Sequence, residues 1–109
     1  MNAEGKGNVY DWLYEIRDRP EMWLVQGKDR LQTIETLTHG YYAALSKHNI
    51  SEDVPELNNS KFSNWLHEKT GIGAALGWSH IIYELHTDEG DAFESFFVYL
   101  EEYRNELRH

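Results

Sequence analysis

The sequence predicts an all-α fold, a single-domain bundle of about five helices. Apolar residues recur at intervals of three and four positions in five segments, which is the periodicity of a helix with one buried face. No segment shows the sustained alternation of a half-buried strand. At 109 residues the chain has the usual size of one domain. We therefore assign 1–109 to a single helical domain, and we expect residues 1–7 to be flexible.

The first two helices follow from their apolar spacing and their end signals. Asn8 is placed to cap the first helix, and Arg19-Pro20 ends it, because the residue before a proline is pushed out of the α region. The second helix is predicted over 29–47 with Asp29 as its cap. Gly40 lies inside it and suggests close packing against a neighbour. The predicted inward residues are Val9, Trp12, Leu13 and Ile16 in the first helix, and Leu31, Ile34, Leu37, Tyr41 and Leu45 in the second.

Three further helices follow a polar loop over 49–59. Ser60 is predicted to cap the third, Gly71-Ile72-Gly73 interrupts the chain, and the fourth runs from about Ala74 to His86. A short strand over Ile81–Leu85 is a minor alternative on propensity alone. A break at 88–91 precedes the last helix, 91–107. Its apolar stripe comprises Phe93, Phe96, Phe97, Leu100, Tyr103 and Leu107, and the inward residues of the other two helices are Phe62, Trp65, Leu66, Trp78, Ile81, Ile82 and Leu85.

The charge is strongly acidic and unevenly placed. Nineteen acidic and 10 basic residues give a formal net charge of −9, and eight of the acidic residues lie between Glu84 and His109 against two arginines. An acidic field repels phosphate backbones and attracts basic proteins. We therefore expect a basic protein partner and no direct nucleic-acid ligand. A role in solubility alone is the plainer interpretation of the same charge.

Composition and apolar segments also indicate the cellular location to expect for the protein. Cysteine is absent, which excludes disulfides, thiolate metal sites and thiol nucleophiles. The polar segment 1–8 has no apolar signal core, and no stretch approaches the roughly 20 apolar residues of a membrane span. We expect a cytoplasmic protein with no membrane partner.

The sequence lacks the motifs that usually carry catalysis or cofactor binding, among them HExxH, the P-loop, the EF-hand loop and GxSxG. We predict no catalytic residue, no cofactor and no metal. His80 and Glu84 do have the spacing at which two ligands share a metal, with His67 or His39 as a third, but a surface pair is the preferred interpretation. His39 is interpreted as a core residue with a satisfied hydrogen bond, and a proton carrier is its alternative.

The seven tyrosines exceed what a core alone would use, and tyrosine is enriched at protein interfaces. Because the acidic residues concentrate after residue 83, we place the partner-binding surface there. The predicted binding residues are Glu84, Asp88, Glu89, Asp91, Glu94, Tyr99, Glu101, Glu102 and Tyr103.

A chain of motifs extends over most of the sequence. Residues 16–24 read Ile-Arg-Asp-Arg-Pro-Glu-Met-Trp-Leu, and a helix containing Gly40-Tyr41 follows. Then come Phe-x-x-Trp-Leu at 62–66, Gly-Trp-x-x-Ile at 77–81, and an acidic, aromatic last helix. This order resembles small bacterial immunity proteins of contact-dependent growth inhibition and polymorphic toxin loci.

The resemblance implies a stoichiometric inhibitor that binds a toxin's C-terminal domain, often a nuclease, and blocks its active site in the producing cell's cytoplasm. It carries no implication of a cofactor. Two alternatives stay open on the residues alone. One is an acidic helical adaptor or regulatory protein, and the other is a helical protein that depends on a metal held by His and Glu.

Overall fold

Five α-helices and one 3₁₀ helix account for most of the residues that the computed structural model describes, 7–25 and 29–107. They are α1 Val9–Asp18, the 3₁₀ helix Pro20–Met22, α2 Arg30–Lys47, α3 Asn59–Thr70, α4 Trp78–Leu85 and α5 Glu89–Leu107. No strand occurs in these ranges, so the all-α prediction is confirmed and the strand alternative over Ile81–Leu85 is wrong. The expected flexibility of residues 1–7 falls, apart from Gly7, outside the described residues. Helices long and apolar enough to cross a bilayer are absent from the described part of the chain.

Both ends of α1 form as the sequence predicts. The Asn8 side chain accepts hydrogen bonds from the Tyr10 and Asp11 backbone amides, and the Asp11 carboxylate accepts one from the Asn8 amide at 3.1 Å. This reciprocal capping box satisfies amides that have no partner inside the helix. The helix ends at Asp18, one residue before Arg19-Pro20.

The start of α2 depends on a residue far along the chain. Asp29 precedes the helix, but its φ is +48° and its side chain makes no capping bond. The Glu89 carboxylate accepts the hydrogen bond of the Arg30 amide instead, at 3.1 Å. Two predictions within α2 are wrong, because His39 and Gly40 are both exposed and nothing lies within 4 Å of a Cβ added at Gly40. The buried face of the helix lies on its other side.

Asn58, rather than Ser60, caps α3 by accepting a hydrogen bond from the Lys61 amide at 2.8 Å. The helix ends at Thr70, and Gly71 after it has the left-handed φ of +79° common at helix ends. The next helix begins at Trp78 and not at Ala74, because Gly77 has φ +93° and interrupts the helical backbone.

The core is an aromatic cluster centred on Phe62 of α3. Its ring meets those of Trp78 and Phe96 edge-on at 5.4 and 6.0 Å, and that of Tyr103 at 5.2 Å. Trp78 and Phe96 stack on each other at 4.7 Å. Such ring pairs add stability beyond the area they bury. Of the stripe predicted for α5, only Leu107 is exposed, because it lies at the last residue of the helix.

Candidate binding surface on the last helix

One long face of α5 points away from the core. Its residues recur at helical spacing, opposite Phe93, Phe96 and Leu100, which are buried. We call this the outer face, and it comprises Asp91, Glu94, Val98, Glu101, Glu102 and Asn105, all of them exposed. At 1.5 Å per residue it is roughly 20 Å long. α5 as a whole carries six acidic residues and one basic residue.

The carboxylates of the outer face differ in how they are engaged. Asp91, Glu94 and Glu102 form no side-chain hydrogen bond or ion pair with any residue in 7–25 or 29–107. Glu101 is different, because it accepts a hydrogen bond from the Tyr14 hydroxyl at 2.6 Å. Burial and this carboxylate raise the pKa of Tyr14 to about 12. Asp91, Glu94 and Glu102 are therefore the carboxylates available to a partner.

A groove of about 400 Å³ runs along the outer face beside α1. Phe97 and Val98 form its apolar floor, and the side chain of Val98 is the most exposed apolar one on α5, at 59%. Arg17 of α1 closes one side, with its guanidinium 4.9 Å from the centre of the Tyr14 ring and 5.8 Å from that of Phe97. The rest of the lining is Glu94, Glu101, Glu102 and Asn105. The groove thus combines an apolar floor with a carboxylate rim.

Besides Glu101, three more acidic residues among the predicted binding residues have structural partners. Asp88 caps α5 by accepting a hydrogen bond from the Asp91 amide at 3.0 Å. Glu89 accepts hydrogen bonds from the Arg30 amide and from the Tyr83 hydroxyl, and so joins α5 to α2 and α4. The Glu84 Oε2 atom lies 3.3 Å from the Nε2 atom of His80 on α4, and the two residues form the surface pair that the sequence suggested.

The two tyrosines predicted to bind a partner do not lie on the outer face. Tyr99 is half-buried, and its ring lies against His86 with 6.2 Å between centres. The placement of Tyr103 on a binding surface is wrong, because it is only 1% exposed and its hydroxyl donates to the Glu56 carbonyl. Its spacing from Phe96 and Leu100 turns it into the core. Burial raises the pKa of Tyr103 to about 12.

Most tyrosine hydroxyls are used inside the domain. Four of them hold the loop between α2 and α3. Tyr10 and Tyr103 donate to the carbonyls of Pro55 and Glu56, Tyr41 donates to the Glu52 carboxylate, and Tyr42 accepts from the Leu57 amide at 2.8 Å. Such contacts leave no signal in apolar periodicity, since they join residues more than ten positions apart. They account for much of the tyrosine excess without an interface.

A second exposed apolar surface lies at the 3₁₀ helix. Met22 and Val25 are 61% and 69% exposed, and Trp23 stands edge-on to the half-buried Trp12 at 6.0 Å. The stack of Trp12 on Tyr41, at 5.0 Å, supports this turn from beneath. The sequence shows these residues as a motif but gives no sign that they face solvent.

No set of three or more histidine, aspartate or glutamate side chains in the described ranges is arranged to hold a metal ion. His67 contacts the Ile72 carbonyl at 2.9 Å, and His39 is exposed on α2. The ligand set considered for His80 and Glu84 therefore lacks the third member that the sequence suggested.

Comparisons with known proteins yield no match: no family model, no curated protein and no solved structure is similar to this chain.

Proposed function

We propose that this chain is an immunity protein that binds a basic bacterial toxin domain of the nuclease class and blocks its active site. The observation that carries the proposal is the outer face of α5, where Asp91, Glu94 and Glu102 are exposed beside the exposed Val98 and have no partner within 7–25 and 29–107. The order of motifs in the sequence, which resembles that of immunity proteins, supports the same function. The chain then acts in the cytoplasm of the cell that makes the toxin, where it inhibits by covering the active site of the toxin domain.

Charge complementarity supports this partner. Nuclease sites receive phosphate groups and are commonly lined by lysine and arginine, so an acidic helix face matches them in sign. Unpaired surface carboxylates raise the rate at which a basic partner associates, and salt weakens the effect. The Debye length falls from about 10 Å at 0.1 M salt to about 3 Å at 1 M. Association should therefore slow as the salt concentration rises.

The test begins with the reading frames next to this gene. Where one encodes a large protein with a short variable C-terminal domain, that domain is produced with its catalytic residues disabled. Glu94→Lys with Glu102→Lys reverses two charges on the outer face that have no partner in the described part of the chain. The double variant should bind at least about tenfold more weakly, which corresponds to 1.4 kcal/mol, and its association rate should lose most of its salt dependence.

A matched control keeps the net charge of the test variant. Asp53→Lys with Glu68→Lys reverses two carboxylates that are also exposed and also lack partners among the described residues, but they lie in the loop before α3 and on α3. The control should bind almost as the parent chain does. Equal losses in the two double variants would show that only net charge matters, and an unchanged affinity in both would remove the outer face from the interface.

An acidic helical adaptor is the second candidate, favoured by the separate apolar surface at Met22, Trp23 and Val25. An adaptor engages two partners, so a protein bound through this turn would still bind the Glu94→Lys, Glu102→Lys variant. A neighbouring reading frame that encodes no large protein with a short variable C-terminal domain would also favour this candidate.

A further inference from the structure

We infer that the groove between α1 and α5 is a subsite for one arginine side chain of the partner. This inference rests on the proposed function, because it names the group that the outer face recognises. A general acidic surface attracts lysine and arginine alike. The groove adds an apolar floor that a long cationic side chain can cover, and a rim and aromatic rings that suit a guanidinium group in particular.

The first feature is the floor. Phe97 and Val98 present apolar surface at the bottom of the groove, and the methylene stem of an arginine would cover it. Val98 is 59% exposed in the free chain, so a side chain laid over it removes apolar area from water. A docked arginine therefore gains from its stem as well as from its charge.

The second feature is the rim. Glu94 and Glu102 lie one helical turn before and after Val98, each displaced by roughly 6 Å along the axis. Both carboxylates lack partners among the described residues, so both can accept hydrogen bonds from a guanidinium seated over Val98. Arginine presents five N–H donors in a planar fork, whereas lysine presents a compact, strongly hydrated charge. Two carboxylates placed on either side of Val98 therefore suit the planar fork of arginine better than the single charge of lysine.

The third feature is Arg17, which shows that a guanidinium packs well against the aromatic rings beside the groove. Its guanidinium lies over the rings of Tyr14 and Phe97, at 4.9 and 5.8 Å from their centres. Such contacts stabilise a cation, and more strongly for arginine than for lysine. Arg17 also adds a positive charge beside the groove, which opposes an incoming cation. These rings therefore accept a guanidinium, but Arg17 already lies over them, so its position and charge limit how tightly a second guanidinium binds beside it.

The test uses three peptides as probes, acetyl-Gly-X-Gly-amide with arginine, lysine or citrulline as X. Each is titrated into the ¹⁵N-labelled chain at low salt, and amide chemical shifts are followed. We expect the arginine peptide to shift the amides of 94–102 most, and to bind roughly threefold tighter than the lysine peptide. Citrulline keeps the planar shape without the charge, and it should bind at least about tenfold more weakly than arginine.

Two variants of the chain separate the groove from the general field. Val98→Ser keeps the charge and a similar helix propensity, and it should weaken the arginine and lysine peptides to a similar extent, roughly fivefold, because the floor buries the apolar stem of either side chain. Arg17→Gln removes the competing charge and should tighten the arginine peptide. Leu76→Ser is the matched control, because Leu76 is 70% exposed and lies outside the groove, and it should leave all three peptides unaffected.

The outcomes separate the subsite from the proposed function. Equal affinity for the arginine and lysine peptides, with shifts spread over all acidic residues and no effect of Val98→Ser, would overturn the subsite. The proposal of a basic partner attracted by the acidic surface would still stand. Arginine selectivity, together with weaker binding of the arginine peptide to Val98→Ser, would support the subsite, even if the toxin domain itself binds elsewhere. Absence of any peptide binding would overturn the subsite as well.

Discussion

Replacing Gly77 by alanine should destabilise the domain strongly, while the same replacement at Gly40 should stabilise it. Gly77 has φ +93° and ψ 167°, a conformation that is open essentially to glycine alone. A Cβ added there would overlap the Glu35 carboxylate and lie 3.1 Å from its Cδ. Gly40 is exposed inside α2, with nothing within 4 Å of an added Cβ.

The expected size follows from two contributions at Gly77. Holding alanine in that conformation costs about 1–3 kcal/mol. Moving the Glu35 carboxylate away weakens the bond that it accepts from Ser79 at 2.6 Å, which adds about 1 kcal/mol. The free energy of unfolding should thus fall by about 3 kcal/mol for Gly77→Ala. It should rise by roughly 0.5–1 kcal/mol for Gly40→Ala, because alanine is the better helix former.

Urea denaturation followed by circular dichroism measures both changes. With a slope of about 1.5 kcal/mol per molar urea, the midpoint should drop by about 2 M for Gly77→Ala and rise by about 0.5 M for Gly40→Ala. Repeating Gly77→Ala in a Glu35→Ala background isolates the contribution of the carboxylate, which should then vanish while the backbone cost remains. Similar midpoints for the two single variants would refute the reasoning from φ and local space.

Two further predictions concern caps and tyrosines. Asn58→Ala should lower the free energy of unfolding by about 1 kcal/mol in urea denaturation, because it removes the cap of α3. Ser60→Ala should change the free energy of unfolding by less than about 0.5 kcal/mol. A larger loss for Ser60→Ala than for Asn58→Ala would show that Ser60 is the cap. Stability should fall between about pH 10 and pH 12, because tyrosines of the unfolded chain ionise near pH 10 while burial raises the pKa to about 12 for Tyr14, Tyr42, Tyr83 and Tyr103. Below pH 10 this stabilisation is complete; absorbance at 295 nm reports the ionisation, and complete ionisation in the folded chain by pH 11 would contradict it.

The helices could be predicted because their signals are local. Apolar spacing marks the buried face, and the side chains of Asn8 and Asp11 that cap α1 lie within the same few residues. Periodicity does not say which part of a helix meets a neighbour, however. Gly40 has the residue type of a close contact, yet it lies on the solvent side of α2. The close approach is at Gly77 instead, and its partner Glu35 is more than forty positions away.

The candidate surface was harder to predict than the fold for the same physical reason. A carboxylate in the sequence carries no mark of whether a distant residue will bind it. The Glu89 carboxylate accepts a hydrogen bond from the Arg30 amide of α2, and the Glu101 carboxylate accepts one from the Tyr14 hydroxyl of α1. Glu94 and Glu102 accept neither of these hydrogen bonds, although all four residues are glutamates on one helix. Only the packing of the helices separates them.

This separation changes how the acidity of α5 relates to binding. Glu106 accepts the Trp65 indole N–H at 3.0 Å and pairs with Lys69, so with Glu89 and Glu101 it holds α5 to the other helices. Replacing one of these three removes a contact between helices, so a weaker binding of the partner would not by itself locate the interface. Glu94 and Glu102 lie opposite the core and are exposed. Because their replacement leaves the core contacts in place, a loss of affinity there reports on the interface itself.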